Sequence, residues 1–457
     1  MLSVSDETTE APVDHTAQRR VFRPDDAGYA EEIAGMQTGF ATRPDLVFGA
    51  ENADDVVAAV AHATGAGLPV GVQATGHGVP GASEGGVLIS TRRMDAVRID
   101  PGARTATIGA GARWGQVVEA AVEHGLAPLN GTAPSVGAVA YTLGGGLGIL
   151  GREFGYAADY VRAVDVVTGD GVLRHVTRDS DPELFRGLLG GGAQLGVVTE
   201  LEIGLVPVAR LYGGALTFDG RAVDPAAVLR GYEEWTRTLP DEVTSSLAAL
   251  VYPDLPQLPP HLRGSYLVLI RVAFTGSEAE GERLVAPLRE LGPTVSDTLR
   301  EMPYADSPSI HGDPDFPHAY YGDNAVLSTL DVEAAADILT LTGPDAAAMH
   351  ILQLNHLGGA LARPAGNADN AVPYREAGWL LRILSPLDGT DVEAHRKVHA
   401  RAFGLVAPQT LGRSLNFVFG GNDRPEGLYD PETRKRLAGL KATYDPANLF
   451  RRNYSVS

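Results

Sequence analysis

The chain contains no cysteine, and it has no apolar run close to the ~20 residues that a membrane-spanning helix needs. The lack of cysteine excludes disulfides, thiolate metal sites, cysteine nucleophiles and a thioether bond to any cofactor. Basic residues are outnumbered, because 37 Lys and Arg stand against 57 Asp and Glu, which gives a formal net charge of -20. No Lys/Arg-rich stretch interrupts this negative charge, so we expect neither a nucleic-acid partner nor a membrane partner.

The composition of the chain is that of a globular protein with more than one domain. It has 457 residues, of which 44% are hydrophobic and 21% charged. The amino terminus, MLSVSDETTEAPVDH, is polar and acidic where a signal peptide would be basic and then apolar. We therefore predict a leader and a first helix in residues 1–38, and a cytoplasmic location.

Helix and strand patterns alternate from about residue 43 to residue 208. ENADDVVAAVAHATGAG predicts a helix with Asn52 or Asp54 as its N-cap, and VRAVDVVTGDGVLRHVT predicts a hairpin around its GDG turn. Glycine becomes rarer beyond residue 208, and longer helices alternate with apolar strands. We place one domain in residues 39–208, a second in 209–408, and a carboxyl-terminal segment that returns to the first domain in 409–457.

Three glycine-rich stretches of the first domain suggest a shared ligand. They are the loop GVQATGHGVPG at 71–81, the run around Gly144–Gly146, and LLGGGAQLG from residue 188. Glycines allow close approach of the backbone and can turn N–H groups toward anionic oxygens, as a phosphorylated cofactor requires. Gly146, Gly148 and Gly151 also match the dinucleotide pattern G-x-G-x-x-G, but the next segment is a poor helix. A glycine-rich bend without a ligand is the alternative.

These stretches resemble the flavin-dependent oxidases related to vanillyl-alcohol oxidase, and among them the berberine-bridge-enzyme-like group. The resemblance lies in residues 43–83, 131–161 and 183–200, and in the carboxyl-terminal SLNFVFGG and YDPANLFRRN. It covers about residues 40–208 and 410–454. It implies an α+β fold with a two-subdomain PCMH-type FAD-binding domain, and a substrate domain whose antiparallel sheet is covered by helices.

The resemblance further implies that His77 forms the covalent bond to FAD. Gly76 and Gly78 would leave room for the flavin beside the imidazole. Noncovalent FAD with His77 stacked nearby is the main rival. The residues matched to FAD binding are His77, Gln73, Ala74, Thr75, Gly76, Gly78, Gly81, Pro134, Ser135, Val136, Gly137, Tyr141, Thr142, Gly144, Gly145, Gly146, Gly148, Leu150, Gly196, Val197, Val198, Asn416 and Asn453.

Three positions bear on the chemistry that this resemblance implies. Ala133 stands where doubly linked relatives carry a cysteine, so a cysteinyl link is impossible. Val136 matches the position that modulates oxygen access, and valine there favours an oxidase. Ser414 stands where many relatives carry a tyrosine base, and a serine hydroxyl without a paired base is a poor proton acceptor.

The strand HILQLNHLGG, residues 350–359, resembles the family's strand over the reacting face of the flavin. Side chains alternate along a strand, so Gln353 and Asn355 share a face, and we predict that both bind substrate. His356 is an alternative base if the register shifts by one residue, and an edge strand facing water is the other interpretation. A metal held by His350 and His356 lacks a third ligand, so no metal site is predicted.

The resulting prediction is an FAD-dependent oxidase for a small organic amine or alcohol, such as a secondary metabolite, with molecular oxygen as the acceptor. The candidate catalytic residues are Asn355, Gln353, Ser414 and His356, and Tyr320 and Tyr321 are candidate pocket residues. A dehydrogenase with another acceptor, or a flavin-fold protein that binds or cyclises a substrate without net redox chemistry, are the alternatives. The sequence leaves open a monomer or a homo-oligomer.

Overall fold

The structure is a computed structural model that describes residues 20–256, 258–363, 369–387, 389, 391–421, 424–454 and 456. Most of the predicted leader, residues 1–19, lies outside these ranges. The first helix predicted before residue 39 is present at Tyr29–Ile33. Within the described ranges, no helix is long and apolar enough to cross a membrane.

The amino-terminal domain contains one sheet of four strands, one of five strands, and a separate pair of short parallel strands. Its strands are β1 (Arg20–Phe22), β2 (Thr42–Arg43), β3 (Leu46–Gly49), β4 (Val70–Gln73), β5 (Ser83–Glu84), β6 (Val87–Ser90), β7 (Val97–Asp100), β8 (Thr105–Gly109), β9 (Val161–Thr168), β10 (Leu173–Thr177) and β11 (Gly196–Gly204). Its helices are α1 (Tyr29–Ile33), α2 (Ala53–Ala66), α3 (Trp114–Val122), α4 (Ala138–Leu143), α5 (Gly151–Phe154) and α6 (Pro182–Leu188). One sheet has the order β1-β3-β6-β4 with β3, β6 and β4 parallel, and the other has the antiparallel order β10-β9-β11-β8-β7. The two subdomains of the prediction are therefore present.

Local sequence signals explain the elements of this domain. The Asn52 side chain accepts a hydrogen bond from the Asp55 N–H and begins α2, and Gly67 ends the helix in the left-handed conformation with φ 64°. The predicted hairpin is β9 and β10, with Leu173 opposite Val167. The helix α5, which follows the G-x-G-x-x-G match, has only 4 residues. It offers no long helix to a dinucleotide, as the interrupted sequence predicts.

The second domain is built on one large antiparallel sheet. Its strands are β12 (Arg210–Asp219), β13 (Val243–Val251), β14 (Tyr266–Phe274), β15 (Thr294–Asp297), β16 (Arg300–Pro303), β17 (Tyr320–Leu327), β18 (Ile351–His356), β19 (Trp379–Pro386) and β20 (Thr410–Gly412). The order is β15-β12-β14-β13-β18-β19-β17-β20, and β16 also pairs with β12. The accompanying helices are α7 (Pro225–Thr236), α8 (Glu278–Arg289), α9 (Val332–Leu341) and α10 (Val392–Leu405), and α11 (Pro431–Tyr444) follows β20. Short 3-10 helices lie at Ala157–Tyr160, Tyr304–Ile310, Gly359–Leu361, Ala407–Gln409 and Leu415–Phe417.

The two faces of the large sheet have different neighbours. Alternate residues such as Leu352, Leu354 and Trp379 are buried in the core under α7, α8, α9 and α10. The other face is turned toward the amino-terminal domain. The fold class of the prediction, including an antiparallel sheet covered by helices, is therefore confirmed.

The carboxyl-terminal segment, predicted from residue 409, first contacts the large sheet. β20 pairs with β17, and Phe419 forms a bridge to Gly322 of β17. Beyond it, α11 packs against α6 of the first domain. The Lys441 ammonium donates to the carbonyl of Gln194 at 2.8 Å and anchors this return.

Candidate active site between the two domains

A cavity of about 440 Å³ lies between the glycine-rich loops and the open face of the large sheet. Of the residues predicted to bind cofactor, those that line it are Gln73, Ala74, Thr75, Gly76, His77, Gly78, Gly81, Val136, Gly137, Tyr141, Gly144, Gly148, Gly196, Val197, Val198, Asn416 and Asn453. Those that are not part of the lining are Pro134, Ser135, Thr142, Gly145, Gly146 and Leu150. All three glycine-rich stretches contribute to this one cavity.

His77 is held in place at both ring nitrogens. Its Nδ1 lies 2.8 Å from Thr75 Oγ1, and its Nε2 lies 3.2 Å from Ser135 Oγ. The Tyr320 hydroxyl donates to the His77 carbonyl at 2.7 Å and fixes the backbone. Burial, together with smaller effects of nearby His318 and Arg113, lowers the pKa of His77 to about 4. The imidazole is therefore neutral at pH 7 and keeps a lone pair on one nitrogen.

The loop around His77 also presents free backbone donors. Among the described residues, the N–H groups of Gly76, His77 and Gly78 have no hydrogen-bond acceptor. A side chain at Gly78 would meet nothing within 4 Å, so the loop is open there. Position 76 requires glycine because its φ is 70° and a Cβ would lie 2.6 Å from Gly35 Cα. These donors and this space fit a polar cofactor beside the imidazole.

The triple glycine does not work as the sequence predicts. The Gly144 N–H donates to carbonyls of α4, the Gly145 N–H to the Thr142 carbonyl at 3.0 Å, and the Gly146 N–H to Asn416 Oδ1 at 3.1 Å. The prediction that these N–H groups face anionic oxygens is wrong, because the protein itself accepts all three. A Cβ at Gly144 would lie 2.8 Å from the Asn416 amide. The triple glycine therefore packs against the carboxyl-terminal segment, whose Asn416 also donates to the Tyr141 carbonyl.

The sheet contributes a polar wall to the cavity. Arg271, Ser246 and Asn355 lie opposite one another on β14, β13 and β18, so their side chains share a face. Ser246 Oγ and Asn355 Oδ1 are buried without a hydrogen-bond partner among the described residues. Gln353 is on the same face but is not part of the lining, and its Nε2 also lacks a described partner.

His356 borders the cavity, but its geometry is poor for a base. Its ring lies 5.1 Å from that of Trp379, on the face opposite Asn355. Because Arg152 only donates, the contact of 3.2 Å between its Nη1 and His356 Nε2 uses the lone pair of that nitrogen. The proton then resides on Nδ1. Burial and Arg152 lower the pKa of His356 to about 3.

Ser414 lies outside the lining of the main cavity. Its backbone exchanges two hydrogen bonds with the Asn324 side chain, with the Ser414 N–H donating at 2.7 Å and its carbonyl accepting at 3.0 Å. The residue borders a small neighbouring pocket instead. Nothing in this position provides a proton acceptor for a ligand in the main cavity.

The remaining candidates separate onto the two faces of the sheet. Tyr320 lines the cavity, whereas Tyr321 lies at the helix-covered face with its ring 4.9 Å from that of His399. His350 also lies at that face, where its Nδ1 is 2.8 Å from Ser385 Oγ. Within the described residues, no group of three or more His, Cys, Asp or Glu side chains has a geometry that could hold a metal.

Several cavity residues were not predicted from the sequence. They are chiefly Arg271, Arg382, His311, Asp313 and Phe417. The available signal was a lone arginine within each of two apolar strands, YLVLIRVAF and WLLRILSP, because charged residues are rarely placed in such strands without a role.

Comparison with known families agrees with this site. A family model described as "FAD binding domain" matches residues 44–177, and one described as "Berberine and berberine like" matches residues 408–457. The first match contains the His77 loop and the second contains Asn416. Together they include both segments that meet at the triple glycine.

Known proteins resemble the chain over nearly its whole length. It is 28% identical to (R)-6-hydroxynicotine oxidase of Paenarthrobacter nicotinovorans, with 96% of each chain covered. It is 25% identical to chitooligosaccharide oxidase of Gibberella zeae, covering 85% of this chain and 82% of that one. The crystal structure of 6-hydroxy-D-nicotine oxidase from Arthrobacter nicotinovorans matches with a TM-score of 0.83 and 26% identity, over 98% of this chain and 100% of that chain.

A further solved structure shares this fold and belongs to a protein whose FAD has both a cysteinyl and a histidyl link. Glucooligosaccharide oxidase from Acremonium strictum, with 6-S-cysteinyl, 8α-N1-histidyl FAD, matches with a TM-score of 0.81 and 20% identity, over 96% of this chain and 97% of that chain. With its FAD-binding domain and its berberine-like carboxyl-terminal segment, the chain is similar to the berberine-bridge-enzyme-like FAD-linked oxidases, and it is an FAD-linked oxidoreductase with a PCMH-type FAD-binding domain.

Proposed function

We propose that this protein holds FAD through a single covalent bond to His77 and oxidises a small organic amine or alcohol, with molecular oxygen as the acceptor. The observation that carries the proposal is the neutral imidazole of His77, held between two hydroxyls at the wall of the cavity. FAD bound there supplies hydride acceptance from the substrate carbon and two-electron transfer to oxygen, which yields hydrogen peroxide.

The cavity supports FAD as the group that His77 would hold. The N–H groups of Gly76, His77 and Gly78 have no acceptor among the described residues, and a polar cofactor would satisfy them. Ala133, which also lines the cavity, cannot form a second link because it has no sulfur. A single histidyl bond is therefore the covalent attachment that we propose.

The hydroxyls beside His77 would control which nitrogen reacts. A ring nitrogen that bonds to the cofactor must give up its contact with Thr75 or with Ser135, and the hydroxyl left at the other nitrogen would then fix the tautomer. The Thr75 hydroxyl also accepts from the Gly137 N–H at 3.2 Å, so it is the more firmly positioned of the two.

The sheet wall would orient the substrate. We propose that Asn355 binds the substrate, since its Oδ1 is buried and unsatisfied at the cavity surface. Gln353, two residues before Asn355 on the same face of β18, would contribute to this substrate binding. With Ser414 outside the lining and His356 engaged by Arg152, we assign neither a role as base; a neutral amine substrate needs none.

Anaerobic titration of the purified yellow protein with candidate amines and alcohols tests this function. The expected result is loss of the flavin absorbance with a substrate, and full recovery with one peroxide formed per flavin when air is admitted. Val136 lines the cavity at the position associated with oxygen access, so Val136→Leu should slow recovery without slowing reduction. Turnover without any loss of flavin absorbance, or recovery only with an added acceptor, contradicts the proposal.

A further inference from the structure

Two arginines of the sheet wall have no anionic partner. Arg271 on β14 and Arg382 on β19 are half-buried in the cavity lining. Neither guanidinium forms an ion pair or donates a hydrogen bond to any described residue, and Arg271 Nε is fully buried. A guanidinium withdrawn from water without a carboxylate or comparable acceptor is costly, so this arrangement indicates that a ligand supplies the acceptor.

The surroundings of the arginines leave a local excess of positive charge. Asp313 is the carboxylate whose charge reaches both arginines, and its Oδ2 already accepts a hydrogen bond from the Thr132 hydroxyl. His311 lies in the same group, and its burial lowers its pKa to about 3, so it carries no charge at pH 7. Two guanidiniums therefore face one carboxylate in a chain whose net charge is -20. A positive patch inside a negative protein attracts anions to that patch.

Arg382 is held in an orientation that suits a carboxylate. Its guanidinium carbon lies 3.8 Å from the centre of the Phe417 ring, so the ring covers one face of the guanidinium plane. The N–H groups at the edge of the plane stay available, and a guanidinium edge matches the two oxygens of a carboxylate. Burial lowers the pKa of Arg382 only to about 10, so it stays charged at pH 7.

We propose that the substrate of this enzyme carries a carboxylate, and that Arg271 and Arg382 bind it while Ser246 and Asn355 hold the part that is oxidised. Ser246 lies directly opposite both Arg271 and Asn355 in the sheet, so the anchor and the orienting groups share one surface. This inference rests on the proposed function and narrows its substrate class to amino or hydroxy acids.

Calorimetric titration of the holoprotein with matched acid and amide pairs, benzoate with benzamide and hexanoate with hexanamide, tests the inference. We expect at least one acid to bind roughly tenfold more tightly than its amide, as loss of a charge-assisted contact implies. Arg271→Gln and Arg382→Gln should each reduce this preference, and the double variant should abolish it. Arg300→Gln, an exposed position on β16, removes the same charge and should keep the preference.

The outcomes separate the inference from the proposed function. Equal affinity for acids and amides, an acid preference that survives in the double variant, or a loss in Arg300→Gln equal to that in the cavity variants overturns the inference. Altered flavin reduction in Arg382→Gln with no acid preference in the parent would mean that the arginines serve the flavin, which also overturns it. If the protein holds no flavin, the proposed function fails, while the same titrations still test whether the arginines bind an acid.

Discussion

The two walls of the cavity are built from different materials. The amino-terminal wall, which we call the loop wall, is mostly backbone, and its small residues let the loops pack around one imidazole, His77. The sheet wall consists of side chains from alternate positions of neighbouring strands, including Arg271, Ser246 and Asn355. The first wall suits a cofactor shared by a whole family, whereas the second can change with the substrate while the fold stays constant.

The largest expected effect comes from the single reactive side chain of the loop wall. In His77→Ala, no flavin should stay with the polypeptide after acid precipitation, because the bonding nitrogen is gone. His175→Ala is a matched control, since His175 is an exposed histidine that pairs with Asp165 on the β9–β10 hairpin. Absorbance of the precipitated protein measures the result. Flavin retained in His77→Ala would show that His77 does not bond to the cofactor.

The backbone character of the loop wall predicts a large loss of stability at Gly146. Its φ is 79°, and a Cβ would lie 2.6 Å from the Tyr141 ring and 2.7 Å from Ala157 Cβ. Gly146→Ala should lower the free energy of unfolding by about 3 kcal/mol, as left-handed strain adds to overpacking.

Gly171→Ala provides the control for Gly146→Ala. Gly171 has φ 76° but nothing within 4 Å of a Cβ, so backbone strain alone should cost about 1 kcal/mol. Urea unfolding measures both variants. Equal losses would show that packing at Gly146 is unimportant.

The helix-covered face of the sheet should respond to pH through stability. Burial lowers the pKa of His350 to about 4 and holds that of His399 well below its usual value. Below pH ~6.5 these histidines become protonated in the unfolded chain, whereas they stay neutral in the folded protein. Their contribution to the free energy of unfolding is therefore complete above that pH and is lost as the pH falls toward 4.

Urea unfolding at pH 7 and pH 5 measures this effect. The free energy of unfolding should drop by roughly 1–2 kcal/mol between the two pH values through His350 alone, and His399 should add to this drop. His350→Asn should flatten the pH dependence, and the exposed His124→Asn should not. A parent protein that is equally stable at both pH values would contradict this account of the buried face.

Asn355 offers the smallest and most local test of the sheet wall. Asn355→Leu keeps the size but removes the unsatisfied Oδ1, so kcat/KM should fall about tenfold while the flavin content stays constant. Ser414→Ala, which alters a hydroxyl outside the cavity lining, should have a much smaller effect on kcat/KM. A larger loss in Ser414→Ala than in Asn355→Leu would reverse the assignment of these two residues.

The loop wall and the sheet wall also differ in how far sequence could predict them. Helix caps, glycines and short strands are local signals, so α2, the β9–β10 hairpin and the His77 loop were all predictable. The role of Gly144–Gly146 was not, because Asn416, which accepts the hydrogen bond of the Gly146 N–H, lies 270 positions farther along the chain. Arg271 and Arg382 line the same cavity only through the pairing order of β14, β13, β18 and β19. One sequence contains no local signal for that order.

The residue that bears the covalent flavin decides whether His77 holds the cofactor. Proteolysis of the acid-denatured holoprotein, followed by mass spectrometry of the flavin-absorbing peptides, identifies the residue that bears the cofactor. We expect one flavin peptide, with the modification on His77. Complete release of flavin on denaturation, or a flavin attached to any other residue, would contradict it.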